Sequence, residues 1–451
     1  MSILIVGGGD IGGTLAERLA WEGQDVVVVE ASEARVAQLR EAADVQVVHG
    51  NGSNPAVLRR AGLDDAEMII AVTDSDEVNV VSCMAAAAES VIPTKIARVR
   101  DPDLAEAIPG IFGKDPLDLN INPEEEAAHT ALKTLRVPGA VGIHDFAEGR
   151  VQVATFAIDQ PCEAVGMPLR ELKSERGIEC NIVAISRDGQ MLIPGGQAEL
   201  RLGDLIYAAA APAGLTAVAE LLDKRAQEAR RIVISGGGNV GYYLAKLLEA
   251  EEIAPKIIEP DPARCQYIAE RLGPSLVLNG SGTDPELLRE ENIDQTDAFL
   301  ALTDDDEDNI LAALLAKSFG AFRVLALVNQ LSYASLISAI GVDAVVSPNL
   351  AAVSAILHFI RKGKVVSVSS VGEQAAEALE VVALETSEIV GKPLAEAQFK
   401  DAVVGAIVRG DEVRIASGAD VIEVGDHVVI FALRSAIPRL ERQMMVQLRY
   451  F

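Results

Sequence analysis

The sequence predicts an α/β protein in which a Rossmann-like parallel-sheet domain is duplicated, each copy followed by a small α+β domain. Three observations predict it. Ile3-Leu4-Ile5-Val6 is an apolar run of the length of a buried parallel strand, and Gly7, Gly9 and Gly12 follow it in G-x-G-x-x-G register. Asp25–Val29 reads as a second strand that delivers Glu30 at its end. The whole pattern returns 229 residues later, with Ile232–Ser235, then Gly236, Gly238 and Gly241, then Glu259. A repeat that long is a duplicated domain, because solenoid units span only tens of residues.

Each part of the fingerprint has a chemical use. The first glycine permits a tight turn, the second lets a pyrophosphate touch the backbone, and the third lets helix and strand pack closely. The helix that follows begins at Asp10 and Ile11 in the first copy and at Asn239 and Val240 in the second. Its N-terminal N–H groups point at the phosphates. Glu30 and Glu259 are placed to accept ribose hydroxyls, and their charge repels a 2′-phosphate, which disfavours NADP.

Further strands are expected at Val45–Val48, Glu67–Val72, Lys95–Val99 and Leu117–Ile121, with helices such as Asn54–Ala61 and Glu77–Ala88 between them. The echo continues: His49-Gly50-Asn51-Gly52-Ser53 is answered by Asn279-Gly280-Ser281-Gly282-Thr283, and Ala71–Asn79 by Ala301–Asn309. From Val151 the pattern changes to short alternating strands, and Val165-Gly166-Met167-Pro168-Leu169, which opens a short helix, recurs as Val390–Leu394. The expected domains are 1–122 and 231–347 (Rossmann-like) and 151–216 and 371–451 (small α+β). Crossover helices occupy 123–150 and 348–370, and a joining helix 217–230.

Composition narrows the function. The 451-residue chain, enough for three or four domains, is 49% apolar and carries a net charge of −28, a surface that repels nucleic acid and anionic lipid. No nucleic-acid partner and no direct lipid insertion are therefore expected. The apolar stretches Leu205–Leu222 and Ser347–Ile360 lack the uninterrupted length of a membrane span. No secretory signal is visible at the N-terminus, and a cytoplasmic protein is expected. Cys83, Cys162, Cys180 and Cys265 match no zinc or C-x-x-C spacing, and the five histidines lie in unrelated contexts, so no metal site is expected. Asp304–Asp308 reads as an acidic helix start that complements the helix dipole.

Other candidate binding residues lie at strand ends. Thr73 and Asp74, with Thr303 and Asp304, follow a strand at the carboxyl edge of the sheet, where open α/β folds hold ligands; N-capping of the next helix is the alternative role. Arg98 and Arg100 alternate at the end of the fifth strand, so both guanidinium groups can converge on one anion, and arginine matches phosphate oxygens in bidentate geometry. The second half has Val328-Asn329-Gln330 there, with no cation. The first cleft is thus expected to favour ATP or ADP, and the second NAD or NADH.

The doubled G-x-G-x-x-G…Glu, the doubled A-x-T-[DS]-x-[DE]-x-N block and the doubled V-G-x-P-L resemble, over essentially the whole length, the regulatory subunits of bacterial Trk-type potassium uptake systems. These carry tandem RCK (regulator of K⁺ conductance) units, each an N-domain followed by a C-domain. The resemblance implies binding of NAD(H) and of ATP or ADP, and a ring of eight RCK units from a homotetramer. It also implies docking on a TrkH- or TrkG-like channel at the inner face of the membrane. Many RCK N-domains carry Asp near the adenine where Asn51 and Ser281 stand, which leaves the backbone to serve. The crossover helices Glu124–Leu135 and Ser347–Ile360 are expected to pair N-domains across subunits. A non-enzymatic gating role follows; an NAD-dependent oxidoreductase is the alternative, and no His, Lys or Tyr is placed or repeated for hydride chemistry.

Overall fold

The computed structural model describes residues 2–21, 23–42, 45–113, 116–174, 176–223, 229–330, 340–360, 365–371, 376–397 and 399–444. The chain forms two compact units, Met1–Ala127 with Ser347–Phe359, and Ala128–Val346 with Ile360–Phe451.

In the first unit, β1 (Ser2–Val6), β2 (Asp25–Glu30), β3 (Gln46–His49), β4 (Met68–Ala71), β5 (Thr94–Arg98) and β6 (Leu119–Ile121) form a parallel sheet of order β3-β2-β1-β4-β5-β6. The order reverses between β1 and β4, which opens a crevice at their carboxyl ends. Apolar side chains on both faces explain the run-like sequence of these strands: Ile3 and Ile5 are as buried as Leu4 and Val6. The Asp10–Trp21 helix packs down with Ile11, Leu15, Ala16 and Leu19 buried.

The second unit begins with an antiparallel sheet of β7 (Ala140–Phe146), β8 (Val151–Ala157), β9 (Cys180–Arg187), β10 (Gln190–Leu192) and β11 (Leu205–Ala210), in the order β10-β9-β11-β8-β7. A second parallel sheet follows. It comprises β12 (Ile232–Ser235), β13 (Lys256–Glu259), β14 (Leu276–Asn279), β15 (Ala298–Ala301), β16 (Val324–Leu327) and β17 (Ala344–Val346), in the order β14-β13-β12-β15-β16-β17. The last sheet, of order β18-β19-β22-β20-β21, holds β18 (Val365–Val371), β19 (Ala376–Val382), β20 (Ala402–Arg409), β21 (Glu412–Ile415) and β22 (His427–Leu433). The two antiparallel domains share one core, in which Phe146, Phe156, Tyr207 and Phe431 meet. Asn181 Nδ2 donates across it to the carbonyls of Gly405 (3.0 Å) and Ala416 (2.7 Å).

The Gly-Asp pair that recurs in these domains, Gly203-Asp204 and Gly425-Asp426, also has a role. Asp204 takes both Arg187 Nε and Nη2 at 2.7 Å, and Asp426 takes Arg409 Nε and Nη2 at 2.8 Å. Burial alone would raise both carboxyls, but the guanidinium forks and the N–H groups of Arg201 and Glu423 hold them below the usual range.

Several expectations are corrected. β7 and β18 fall in stretches expected as linkers (123–150 and 348–370) but pair with β8 and β19 as strands of the small sheets. β7 was hidden because Gly142, His144 and Asp145 break the alternation and the ladder shifts register between Ala140 and Gly142. The joining helix expected at 217–230 is Pro212–Leu221, started by proline at its first turn and followed by a left-handed Asp223; residues 224–228 lie outside the described residues. Val165 does not open a helix but bridges Leu200, and the helix starts at Leu169.

The crossover helices run Pro123–Arg136 and Pro348–Ile360. Ser347–Phe359 groups with Met1–Ala127, not with the second N-domain it follows, so in this chain the helix crosses to the other N-domain. A tandem chain carries both N-domains, so the apolar face of Ala352, Val353, Ile356 and Leu357 is buried in cis. The exchange is reciprocal. The last turns of the Pro123–Arg136 helix belong to the second unit, where Arg136 pairs with Glu251. There buried Arg323 donates to the carbonyls of Thr134 (2.7 Å), Val137 (3.2 Å) and Ala140.

Candidate nucleotide-binding clefts

Each N-domain builds its cleft from the turn that leaves its first strand. Gly7 and Gly236 have φ of +100° and +107°, conformations a side chain would strain. A Cβ on Gly12 would lie 1.9 Å from Gly7 O, and one on Gly241 2.0 Å from Gly236 O, so the third glycine is what lets the helix start against the turn. Ile11 and Val240 turn into the core, leaving their backbone to face the cleft; Asp10 and Asn239 are exposed.

Glu30 and Glu259 sit as expected at the ends of β2 and β13, and both are nearly buried. One oxygen of each accepts the N–H of the middle glycine (Gly8 or Gly237, both 2.7 Å), and the other accepts from Ser32 (2.7 Å) or Asp261 (2.8 Å). A carboxylate has about four acceptor positions, so each keeps capacity for two ribose hydroxyls while its orientation is locked. Gly8 and Gly237 were missed in the sequence. A Cβ on Gly8 would come within 2.4 Å of Leu39 Cδ1 and 3.2 Å of Glu30 Oε2, so the middle glycine makes room for the acid. Above Gly238 a Cβ would meet nothing within 4 Å, a clear seat for a pyrophosphate. The locked acid and the open glycine turn fit an adenine dinucleotide.

The T-x-x-D-x-x-N block explains itself in the same way twice. Asn79 is fully buried; its Oδ1 accepts from Thr73 N and Oγ1 (both 2.7 Å), and its Nδ2 donates to Thr73 O (3.0 Å) and Arg98 O (2.9 Å). Asn309 does the same for Thr303 and Leu327 O. Asp76 accepts the N–H groups of Arg100 and Asp101, and Asp306 those of Asn329 and Gln330. The loops at the carboxyl edge are thereby tied together by side chains that the sequence marked as a motif but not as a clamp.

N-capping passes to other residues. Ser75 caps the Asp76–Glu89 helix and Asp305 caps Asp306–Ser318, so Thr73, Asp74, Thr303 and Asp304 are not the caps. Thr73 and Thr303 anchor the loop, whereas Asp74 is fully exposed and Asp304 exposed. Arg98 and Arg100 do converge, and on Asp74: Arg98 Nη1 lies 3.3 Å from its carboxylate and Arg100 Nη2 donates to its carbonyl at 2.7 Å. Arg98 is mostly covered, and its Nε is buried with no hydrogen-bond partner among the described residues. Asn51 and Ser281 fold back on their own turns, bonding Ser53 and Thr283.

Among the described residues no group of three or more His, Cys, Asp or Glu could hold a metal ion, and Asp304–Asp308 serves as a helix start. No helix of the described residues is long and apolar enough to cross a membrane.

The comparisons agree with this duplication. The TrkA-N domain model matches residues 3–112 and 232–348, and the TrkA-C domain model matches 153–223 and 378–445. The chain is 39% identical to the "Trk system potassium uptake protein TrkA" of Azorhizobium caulinodans, covering all of both chains. It is 38% identical to that of Halomonas elongata, again over all of both, and 37% identical to homolog 1 of Methanosarcina mazei over 98% of this chain and 99% of that one. Among solved structures, the GsuK RCK domain shares the fold at a TM-score of 0.59 and 20% identity, covering 98% of this chain and 94% of that one. The GsuK channel bound to NAD gives 0.59 at 19% identity over 98% and 78%. A doubled glycine turn with its locked acid, a doubled loop clamp and full-length relatives place this chain in the TrkA family of Trk-system potassium uptake proteins.

Proposed function

We propose that this chain is the nucleotide-sensing gating subunit of a Trk-type potassium uptake channel, binding ATP or ADP in its first cleft and NAD or NADH in its second. The observation that carries the reading is the asymmetry at the ends of β5 and β16. Arg98 and Arg100 gather on Asp74 in the first half, where the second half has Asn329 and Gln330 held by Asp306. Terminal phosphates outcompete the exposed Asp74 carboxylate for Arg98, and Arg100, whose Nε pairs with Asp76 at 3.5 Å, can turn its outer N–H groups to the same phosphates. Their arrival would exchange Asp74 for the γ-phosphate and shift a loop that Asn79 ties to β5.

The channel partner is a TrkH- or TrkG-like subunit, and four chains supply eight RCK units to a cytoplasmic ring on the inner membrane face. ATP favours the conducting state and ADP the closed one. The ligands act only through their differential affinity for the two ring states. A hydride-transfer reading is less favoured, since Thr73, Asp76 and Asn79 at the carboxyl edge are all engaged in holding loops. The test is potassium flux through the reconstituted channel, with and without this chain and each nucleotide. Flux that rises with ATP and falls with ADP only when the chain is present supports the reading. Flux indifferent to the chain, or turnover of NADH with a metabolite, overturns it.

A further inference from the structure

The two clefts differ in one more arginine. Arg35 and Arg264 hold matching places, five residues after the ribose acid. In the first cleft Arg35 lies over the pyrophosphate seat: a Cβ on Gly9 would meet its Nη1 at 3.6 Å, and the same nitrogen stands 3.8 Å from the exposed carboxylate of Asp10. In the second cleft Arg264 is drawn aside. Its guanidinium stands 4.8 Å from the ring centre of Tyr267 and 6.0 Å from that of Tyr242. Its Nε donates to Gly237 O at 2.7 Å, and the space over Gly238 is clear. The two tyrosines are themselves in contact, with ring centres 6.2 Å apart. Gly13 and Gln38 stand in their places in the first half and can stack on nothing.

We propose that Tyr242 and Tyr267 park Arg264 beside the pyrophosphate seat, which makes the second cleft a preformed dinucleotide site with a fixed cation along its adenosine side. Stacking of a guanidinium on aromatic faces holds its plane without consuming its remaining N–H donors. The donors not turned to Gly237 and Asn239 are then available to a phosphate oxygen, with little ordering left to be done on binding. In the first cleft the same arginine must move off Gly9 before a pyrophosphate can sit. Tyr242 and Tyr267 are thus positioning residues, and Arg264 is a specificity-determining one. This inference rests on the second cleft binding a dinucleotide, as proposed above.

The test is calorimetric titration of the full chain with NADH and, separately, with adenosine. The variants are Arg264→Ala, Arg264→Lys, Tyr267→Gln (the residue of the first half) and the matched control Arg35→Ala, with thermal unfolding as the check on folding. Arg264→Ala should weaken NADH at one site by about tenfold or more, consistent with loss of a charged hydrogen bond. Tyr267→Gln should weaken it by about threefold although the charge is kept, and Arg264→Lys should fall between, because lysine cannot stack in plane. Adenosine, which has no phosphate, should change by less than about twofold. NADH binding left intact by Arg264→Ala, or adenosine weakened as much as NADH, overturns this proposal alone. No NADH binding to the second cleft of the unaltered chain overturns the dinucleotide reading and this proposal with it.

Discussion

The first and second N-domains share their machinery down to single bonds and differ in where they carry positive charge. Both lock the strand-end glutamate on the N–H of the middle glycine, and both tie the carboxyl-edge loops with a buried asparagine. The first adds Arg98 and Arg100 at the far lip and leaves Arg35 over the glycine turn; the second has Asn329 and Gln330 at that lip, with no cation there among the described residues, and stacks Arg264 beside Tyr267. The lesson is that the backbone tasks of the fold are copied while the proposed ligand choice rests on a few side chains at the lip and the glycine turn. After a duplication such side chains are free to change, because they bear little of the folding energy.

The largest effect expected concerns a residue that only the second half has. Arg323, where the first half has Thr94, satisfies three carbonyls at the end of the Pro123–Arg136 helix. Burial pushes its guanidinium down to about 10, so its retention depends on those bonds. Arg323→Ala should cost about 3 kcal/mol or more in urea unfolding, because each orphaned carbonyl carries its own desolvation cost. A loss below about 1 kcal/mol would mean the helix end is held by other contacts.

Next comes the lip of the first cleft. Arg98→Ala with Arg100→Ala should weaken ATP by about 2 kcal/mol, roughly thirtyfold, while NADH at the second cleft stays within about twofold. Equal losses for both ligands would erase the distinction between the clefts.

The C-domains sharpen the comparison from the other side, since they are alike. Asp204 and Asp426 have depressed folded pKa values, so the stability they add is present above their unfolded values and disappears as the pH falls below about 4. Circular dichroism during acid titration should show an unfolding limb there. Asp204→Asn and Asp426→Asn should each flatten it by similar amounts, and a limb that responds to one alone would show that the two copies no longer do the same job.

The smallest effect belongs to Asp74. It is fully exposed, so its pair with Arg98 is worth little, and Asp74→Asn should tighten ATP by about threefold at most. Weaker ATP binding in that variant would mean Asp74 contributes to the ligand site and does not compete with it.

How much of this was legible in the sequence follows the kind of constraint involved. Gly7, Gly12 and Glu30 could be read because a turn, a close approach and a strand end each demand one residue type. The order of domains could be read because it is written twice. Strand β7 could not, since Gly142 and Asp145 interrupt its alternation and its pairing depends on a register shift. Nor could Gly8: its need arises from Leu39, about thirty residues on, and distance in sequence conceals contact in space. The crossover helices were expected to pair N-domains, and within this chain Ser347–Phe359 groups with the first N-domain. Helical periodicity says which face is apolar and nothing of whose chain covers it.

If one fold, copied, holds a different adenine nucleotide in each half, as proposed above, the two clefts fill independently. The most direct measurement is a sequential calorimetric titration of the full chain, ATP first to saturation and NADH second. One ATP and one NADH should bind per chain, with NADH binding at nearly unchanged affinity after ATP is in place. NADH binding abolished by saturating ATP, or two equivalent sites for either ligand, would contradict it.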